Sequence, residues 1–289
     1  LGCGQCLAGR QPELDPEAAR RGTVLCGTNS FEPVTMAEAE LQILKCISGE
    51  VEDNVEVQLH VGTASVSARV AMLDETTMTG GQRQFVQLRL ASPLPLVPGE
   101  RFVVRANIAG PGGSGLTTIG GGQILGLSNT RLRRKKQWTL ALLAVRRDAI
   151  GDPLRWCEQM VKESETPATI ASLQKKCWSR AEEITAALEK VRAEGRVVTV
   201  GGMDGSSQLR WIHRATIETT AERLLAAIEA FHTANPQRAG IGREELVALL
   251  KVNPEFLEAA ADSLLQSKHL ERNGALLARA GWNARVPGR

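Results

Sequence analysis

The sequence predicts a multidomain chain, in which a small all-β barrel is followed by two α+β winged-helix domains. Three observations carry this. Between positions 55 and 126, the runs 55–70, 85–90, 100–105 and 117–126 alternate apolar and polar residues or are β-branched, and Gly, Pro or Asn bounds each. Several such strands at short spacing, with no helical period between them, point to a closed antiparallel barrel. From Gly151 onward the apolar period becomes helical, and a pattern of three helices and a hairpin occurs twice.

Within the first copy, residues 153–162 place Leu154, Cys157 and Val161 on one helical face, and 169–176 form a short second helix. Ser179 with Glu182 three residues on has the capping-box pattern, and the third helix then buries Ile184, Ala187, Leu188 and Val191 before Gly195 ends it. Residues 196–200 and 209–213 pair as strands around the Gly- and Ser-rich turn between them. In the second copy the helices are 221–234, ending before Pro236, then 243–251, then 254–267 with Pro254 at the first helical position. The Asn273-Gly274 turn joins the two strands of its wing. Aligning the copies sets Ile184 on Leu257, Ala187 on Ala260, Val191 on Leu264 and Val197 on Leu270, so the buried faces agree in kind.

Composition sets outer limits. A chain of 289 residues accommodates two domains or more, and its apolar fraction of 43% is enough for ordinary cores. No run reaches the roughly 18 apolar residues of a membrane helix, and no charged segment precedes an apolar one at the N-terminus. A soluble, cytoplasmic protein with no membrane association is expected. Charge is uneven: residues 131–289 carry 26 Lys and Arg against 19 Asp and Glu, while residues 1–130 carry 9 against 13. The basic C-terminal half suggests a polyanionic partner. Cys3 and Cys6 have CxxC spacing, but no second pair or His pair follows, so ordinary reduced thiols are expected and no metal site.

The wording and order of His60-Val61-Gly62-Thr63-Ala64, of the runs within 85–105, and of Thr118-Ile119-Gly120-Gly121-Gly122-Gln123-Ile124-Leu125 resemble the third domain of the elongation factor Tu superfamily. The likeness is greatest to the selenocysteine-specific elongation factors, SelB. Three motifs in order make the match specific where one alone would not. Phe231-His232-Thr233-Ala234-Asn235-Pro236 followed by Arg243-Glu244-Glu245-Leu246 is similar to the second winged helix of that family. Gly4-Gln5 and Arg20-Arg21-Gly22-Thr23-Val24-Leu25 resemble the end of its second barrel. The resemblance also makes 35–46 the first strand of the central barrel, against the helical preference of its Ala- and Glu-rich composition. The expected organisation is a second-barrel remnant over 1–33, the third-domain barrel over 34–127, a basic linker over 128–150, winged helices over 151–214 and 215–281, and a tail over 282–289. The resemblance reads the chain as a C-terminal piece of such a factor, without its GTPase domain.

What the resemblance implies about function is delivery of selenocysteyl-tRNA to the ribosome at recoded UGA codons, with a selenoprotein mRNA hairpin as the signal. Its barrel would face the tRNA, through His60, Thr63, Arg101, Thr118 and Gly121. Thr63 and Gly121 also admit a reading as barrel-corner residues. The run Arg131-Leu132-Arg133-Arg134-Lys135-Lys136 reads either as a solvated linker or as a phosphate-contacting strip on RNA through Arg133, Arg134, Lys135 and Lys136. The third helices and wings offer Arg180, Lys190, Arg192, Arg210, Lys268 and Arg272. They also carry Glu182, Glu183, Glu189, Glu255, Glu258 and Asp262, which oppose phosphate, so a spacer role is expected for this pair and the main hairpin grip elsewhere. A monomer is expected.

The full-length family protein would use GTP and Mg²⁺. No GxxxxGK[ST] phosphate loop occurs in these residues, and Gly110-Pro111-Gly112-Gly113-Ser114-Gly115 lacks the Lys such a loop needs. Gly120-Gly121-Gly122 lies in a strand pattern, where it lets another backbone approach. No GTPase activity, no catalytic residue and no cofactor are therefore expected in this chain, and His60, His213, His232 and His269 are too scattered to form a catalytic group. A winged-helix regulator with a β-barrel sensor domain is the alternative, and it would need a basic recognition helix. A thiol oxidoreductase using Cys3 and Cys6 is a further rival, one that Cys6→Ser would inactivate.

Overall fold

The computed structural model describes residues 22–24, 32–107, 115–201 and 209–284. The chain folds as two compact units, 1–150 and 151–289. The expectations for Cys3, Cys6, most of the 1–33 remnant and the Gly-rich stretch 110–114 lie outside the described residues.

The first unit is built on the strands β1 (Val34–Ile43), β2 (Val51–Glu52), β3 (Val55–Val61), β4 (Ala64–Met72), β5 (Thr77–Met78), β6 (Arg83–Leu94), β7 (Arg101–Asn107) and β8 (Leu116–Ser128). Six of them close an antiparallel barrel in the order β1-β6-β4-β3-β7-β8, while β2 and β5 pair as a small ribbon. The period-2 pattern is the cause. Ala37, Ala39, Leu41 and Ile43 of β1, Val57, Leu59 and Val61 of β3, and Phe102, Val104 and Ala106 of β7 point inward and are buried, while the residues between them face out. Strand geometry prevails over the helical preference of the Ala–Glu segment because both neighbours of β1 supply a full ladder, β6 on one side and β8 on the other.

Closure depends on glycine. Gly121 of β8 pairs with Gln42 and Val103, and Gly122 with Leu41 and Phe102. A Cβ on Gly121 would meet the Phe102 carbonyl oxygen at 2.6 Å, and one on Gly120 or Gly122 would collide with the carbonyls of Gln42 or Glu40. Those partners are backbone atoms of neighbouring strands and cannot swing aside.

The expected linker over 128–150 is instead largely helix. α1 (Gln137–Ala149) belongs to the same unit and packs on the barrel. Leu143 is buried against Leu73 and Leu125, with Phe85, Leu132, Leu140 and Ile150 around them. Polar clamps hold it as well. Glu38 is buried on the outer face of β1, where it accepts from the Ser128 hydroxyl at 2.6 Å and faces Arg146 of α1 at 3.7 Å. The fully buried Gln87 donates to the Thr130 carbonyl at 2.8 Å and accepts from the Leu132 N–H at 3.2 Å. A dense run of cations disguised a helix whose apolar face is only three or four residues wide.

The second unit holds both hairpin-bearing modules. The first comprises α2 (Pro153–Lys162), α3 (Ile170–Cys177), α4 (Ala181–Ala193), β9 (Val197–Val200) and β10 (Arg210–His213). Asp152 caps α2 and Thr169 caps α3. The cap expected at Ser179 is displaced by one residue: Glu183 accepts from the Arg180 N–H at 3.2 Å, and the Ser179 hydroxyl turns back to the Cys177 carbonyl. The second module has α5 (Arg214–Ala234), β11 (Ile241–Gly242), α6 (Arg243–Leu250), α7 (Pro254–Gln266), β12 (Leu270–Asn273) and β13 (Leu276–Arg279), with the sheet order β11-β13-β12.

α5 starts seven residues before its expected Ala221. The His213 ring accepts from the Ala215 N–H at 3.1 Å and caps it, and Ile217, Thr220, Ala221, Leu224 and Ile228 then line one buried face. The strand β10 therefore passes into α5 without a loop, and Ile212 of the first module is buried in the core of the second, beside Val198 and Val200. No helix among the described residues is long and apolar enough to cross a membrane.

Closure of the barrel yields a prediction. Gly122→Ala should destabilise the barrel by about 2 kcal/mol or more, whereas Gly115→Ala, which has open space at its Cβ, should change stability by no more than about 0.5 kcal/mol. Urea unfolding of the two variants checks this.

Candidate nucleic-acid interface

On the outer face of the barrel the strand register lines up residues that are far apart in sequence. Gln42 of β1 pairs with Gly121 of β8, Gly121 with Val103 of β7, Val103 with His60 of β3, and His60 with Ser65 of β4. His60 and Gly121 thus belong to one row, two strands apart. Arg101 begins β7 in the row to one side, where it pairs with Gln123. Thr118 lies in the row to the other side, where it pairs with Arg105 and Arg105 with Gln58. A register shift between Val104 and Arg105 is what brings Thr118 to that position. Thr63 sits in the tight turn between β3 and β4, and its hydroxyl accepts from the Gly22 N–H at 3.2 Å.

The surface these residues form is low and partly apolar. Val103 is 42% exposed, and Gly121 raises no side chain beside it. The Nε2 atom of His60 is enclosed, and no described residue hydrogen-bonds to it.

The basic run divides. Arg134 is held by the Asp53 carboxylate and donates to the Met72 carbonyl at 3.2 Å, while Lys135 donates its backbone N–H to Leu73 at 2.8 Å and lies 3.7 Å from Glu75. These two fasten the segment to the barrel. Arg133 and Lys136 are exposed, with no ion pair among the described residues, and Trp138 beside them is 67% exposed.

In the winged-helix unit the carboxylates of the third helices answer the cations directly. Arg210 meets Glu255 at 2.5 Å in a half-buried pair, Arg192 meets Glu189 at 2.6 Å, and Arg243 meets Glu258 at 2.7 Å. Arg272 lies between Asp262 at 3.3 Å and Glu258 at 3.5 Å. Arg180, Lys190 and Lys268 have no ion pair among the described residues. A cation already neutralised in this way has little left to offer a phosphate. No group of three His, Cys, Asp or Glu among the described residues is placed to hold a metal ion, and Cys46, Cys157 and Cys177 are free thiols.

Comparison with known families places both halves. Residues 40–131 match the β-barrel domain of selenocysteine-specific elongation factors, and residues 225–278 match the winged helix of elongation factor SelB. The chain belongs to the SelB family. It is 25% identical over 263 residues to a selenocysteine-specific elongation factor from Desulfomicrobium baculatum, an alignment that covers 88% of this chain and 38% of that relative. The chain therefore spans well under half the length of this relative.

The SelB winged-helix match includes His232, whose role in the fold is physical. It is 2% exposed at the end of α5, stacked on Trp282 with ring centroids 4.0 Å apart, and neither ring nitrogen has a hydrogen-bond partner among the described residues. Burial first, and the nearby Arg279 charge second, hold its pKa below the ordinary imidazole value. The neutral ring is the form that fits, so its contribution is complete above the unfolded value of about 6.5 and is lost as pH falls from there toward the depressed folded value. Denaturation midpoints should therefore drop between pH 7 and pH 5, and His232→Phe should flatten that part of the profile.

Proposed function

We propose that this chain works as part of a selenocysteine-specific translation elongation factor in the cytoplasm, helping to deliver selenocysteyl-tRNA to a ribosome paused at a recoded UGA. The barrel is the tRNA-facing element, through His60, Thr63, Arg101, Thr118 and Gly121. The winged-helix pair is a spacer that gives reach toward the selenoprotein mRNA hairpin. GTP and Mg²⁺ belong to the whole factor, because the phosphate loop that nucleotide binding needs does not occur in these 289 residues.

The observation that supports this best is the register of the barrel. Five residues chosen from separate motifs fall on one outer face and its adjoining turn, within a segment matching the SelB barrel. Such a face offers a hydroxyl, a ring nitrogen, a guanidinium and bare backbone, which suits contacts to ribose and phosphate rather than to base edges. For the winged helices the support is electrostatic: several of the cations on the surfaces that usually meet nucleic acid are already paired with carboxylates. The same pairing disfavours a winged-helix regulator, which depends on a basic recognition helix.

Two binding measurements test the reading. Filter binding of the chain to selenocysteine tRNA should weaken about tenfold on His60→Ala and again on Thr118→Ala, each removing a hydrogen bond to a charged or ribose group. Gel shifts with the selenoprotein mRNA hairpin should show only salt-sensitive association in the roughly micromolar range or weaker. Nanomolar, sequence-specific hairpin binding would overturn the spacer assignment.

A further inference from the structure

We infer that the RNA-facing surface of the barrel extends across β8 to the end of β1 and the start of β6, where Lys45 and Arg83, together with Arg101 of β7, form a binding site for the sugar–phosphate backbone. The inference rests on the reading of the barrel as RNA-facing and adds Lys45 and Arg83 to it.

Register supplies the first observation. Gln42, already in the row with Gly121, Val103 and His60, pairs on its other side with Arg83 of β6. This row of outward positions crosses five of the six strands, so it curves round the closed barrel, and its Gln42 and Arg83 end adjoins Gly121 of β8.

Shape and charge supply the second. At this end of the row lies an open groove of about 660 Å³, whose lining includes Gly121, Gly122, Val103, Lys45, Arg83 and Arg101. Because Gly121 must lack a Cβ for the barrel to close, no side chain rises there to part a bound strand from the backbone. All three cations are exposed, and none makes an ion pair or side-chain hydrogen bond among the described residues. The single carboxylate lining the groove, Glu40, is engaged by Arg147 of α1 at 3.5 Å. Many arginines of the second unit are paired, so three unpaired cations around one trench stand apart from them. An extended polyanion laid along the groove would meet all three and release the counterions each one holds.

Salt dependence gives the test. Affinity of the full 289-residue chain for a selenocysteine tRNA transcript is measured between about 50 and 300 mM salt for wild type, Arg83→Gln, Lys45→Gln and the double variant, with thermal melts confirming unchanged folding. Each single change should lower the slope of log K against log salt by about one, and should weaken binding to an unrelated RNA of equal length by the same factor. If both variants keep the wild-type slope and affinity while His60→Ala and Thr118→Ala weaken binding, the groove assignment is wrong and the barrel reading stands. If none of the four changes has an effect, or wild type shows no salt-dependent binding, the barrel reading itself fails.

Discussion

The constraint on which the barrel depends is how closely β8 approaches its two neighbours. Six strands enclose a narrow space, and β8 must pass within contact distance of the backbones of β1 and β7. Three consecutive glycines permit that. Remove one hydrogen there in favour of a methyl, and the clash is with peptide carbonyls, not with side chains that could rotate away. The same requirement shapes the outside of the molecule. Where β8 carries no side chain, the outer surface is low, and neighbouring positions on β1, β7 and β3 come into one unbroken row. Packing inside and accessibility outside thus have one cause.

The second unit solves a different problem. It has helices and wings of the kind that elsewhere read nucleic acid, yet carboxylates on α4 and α7 hold many of the cations. Arg210 and Glu255 illustrate the effect best: they join a strand of the first module to the start of α7 in the second, partly shielded from water. Pairing of this sort orients the modules at the expense of their attraction for phosphate. The short-range contacts at the junction agree, because His213 caps α5 while its other ring nitrogen lies 3.2 Å from Glu158 of α2.

Much of this architecture was legible in the sequence because periodicity is a direct consequence of burial. The alternation in 55–70 and 100–105, and the helical spacing in 153–162 and 254–267, translated into strands and helices, although 55–70 doubles back at Gly62 and Thr63 to give two strands, β3 and β4. Two places were not legible. The helix α1 follows five cations in six residues, and its burial rests on Leu143 and a few neighbours meeting Leu73 and Leu125, a match that no local pattern records. The early start of α5 depends on an imidazole accepting a backbone N–H, and His is not among the common capping residues. The candidate interface was half legible: motifs identified His60, Thr118 and Gly121 separately, but only strand register could make them neighbours. Arg83 and Lys45 carried no motif at all. A local reading of Arg134 and Lys135 also missed that Asp53, the Met72 carbonyl and Leu73 hold them against the barrel.

The seamless passage from β10 into α5 bears on how the two winged helices live and die. With Ile212 buried in its successor's interior and no slack between them, neither half can come apart without stripping an apolar face from the other. They should melt as one cooperative block, and a protease would find no soft joint at 213–214. Evolution could lengthen or shorten such an arm only by adding or deleting whole modules, each bringing its own plug for the next.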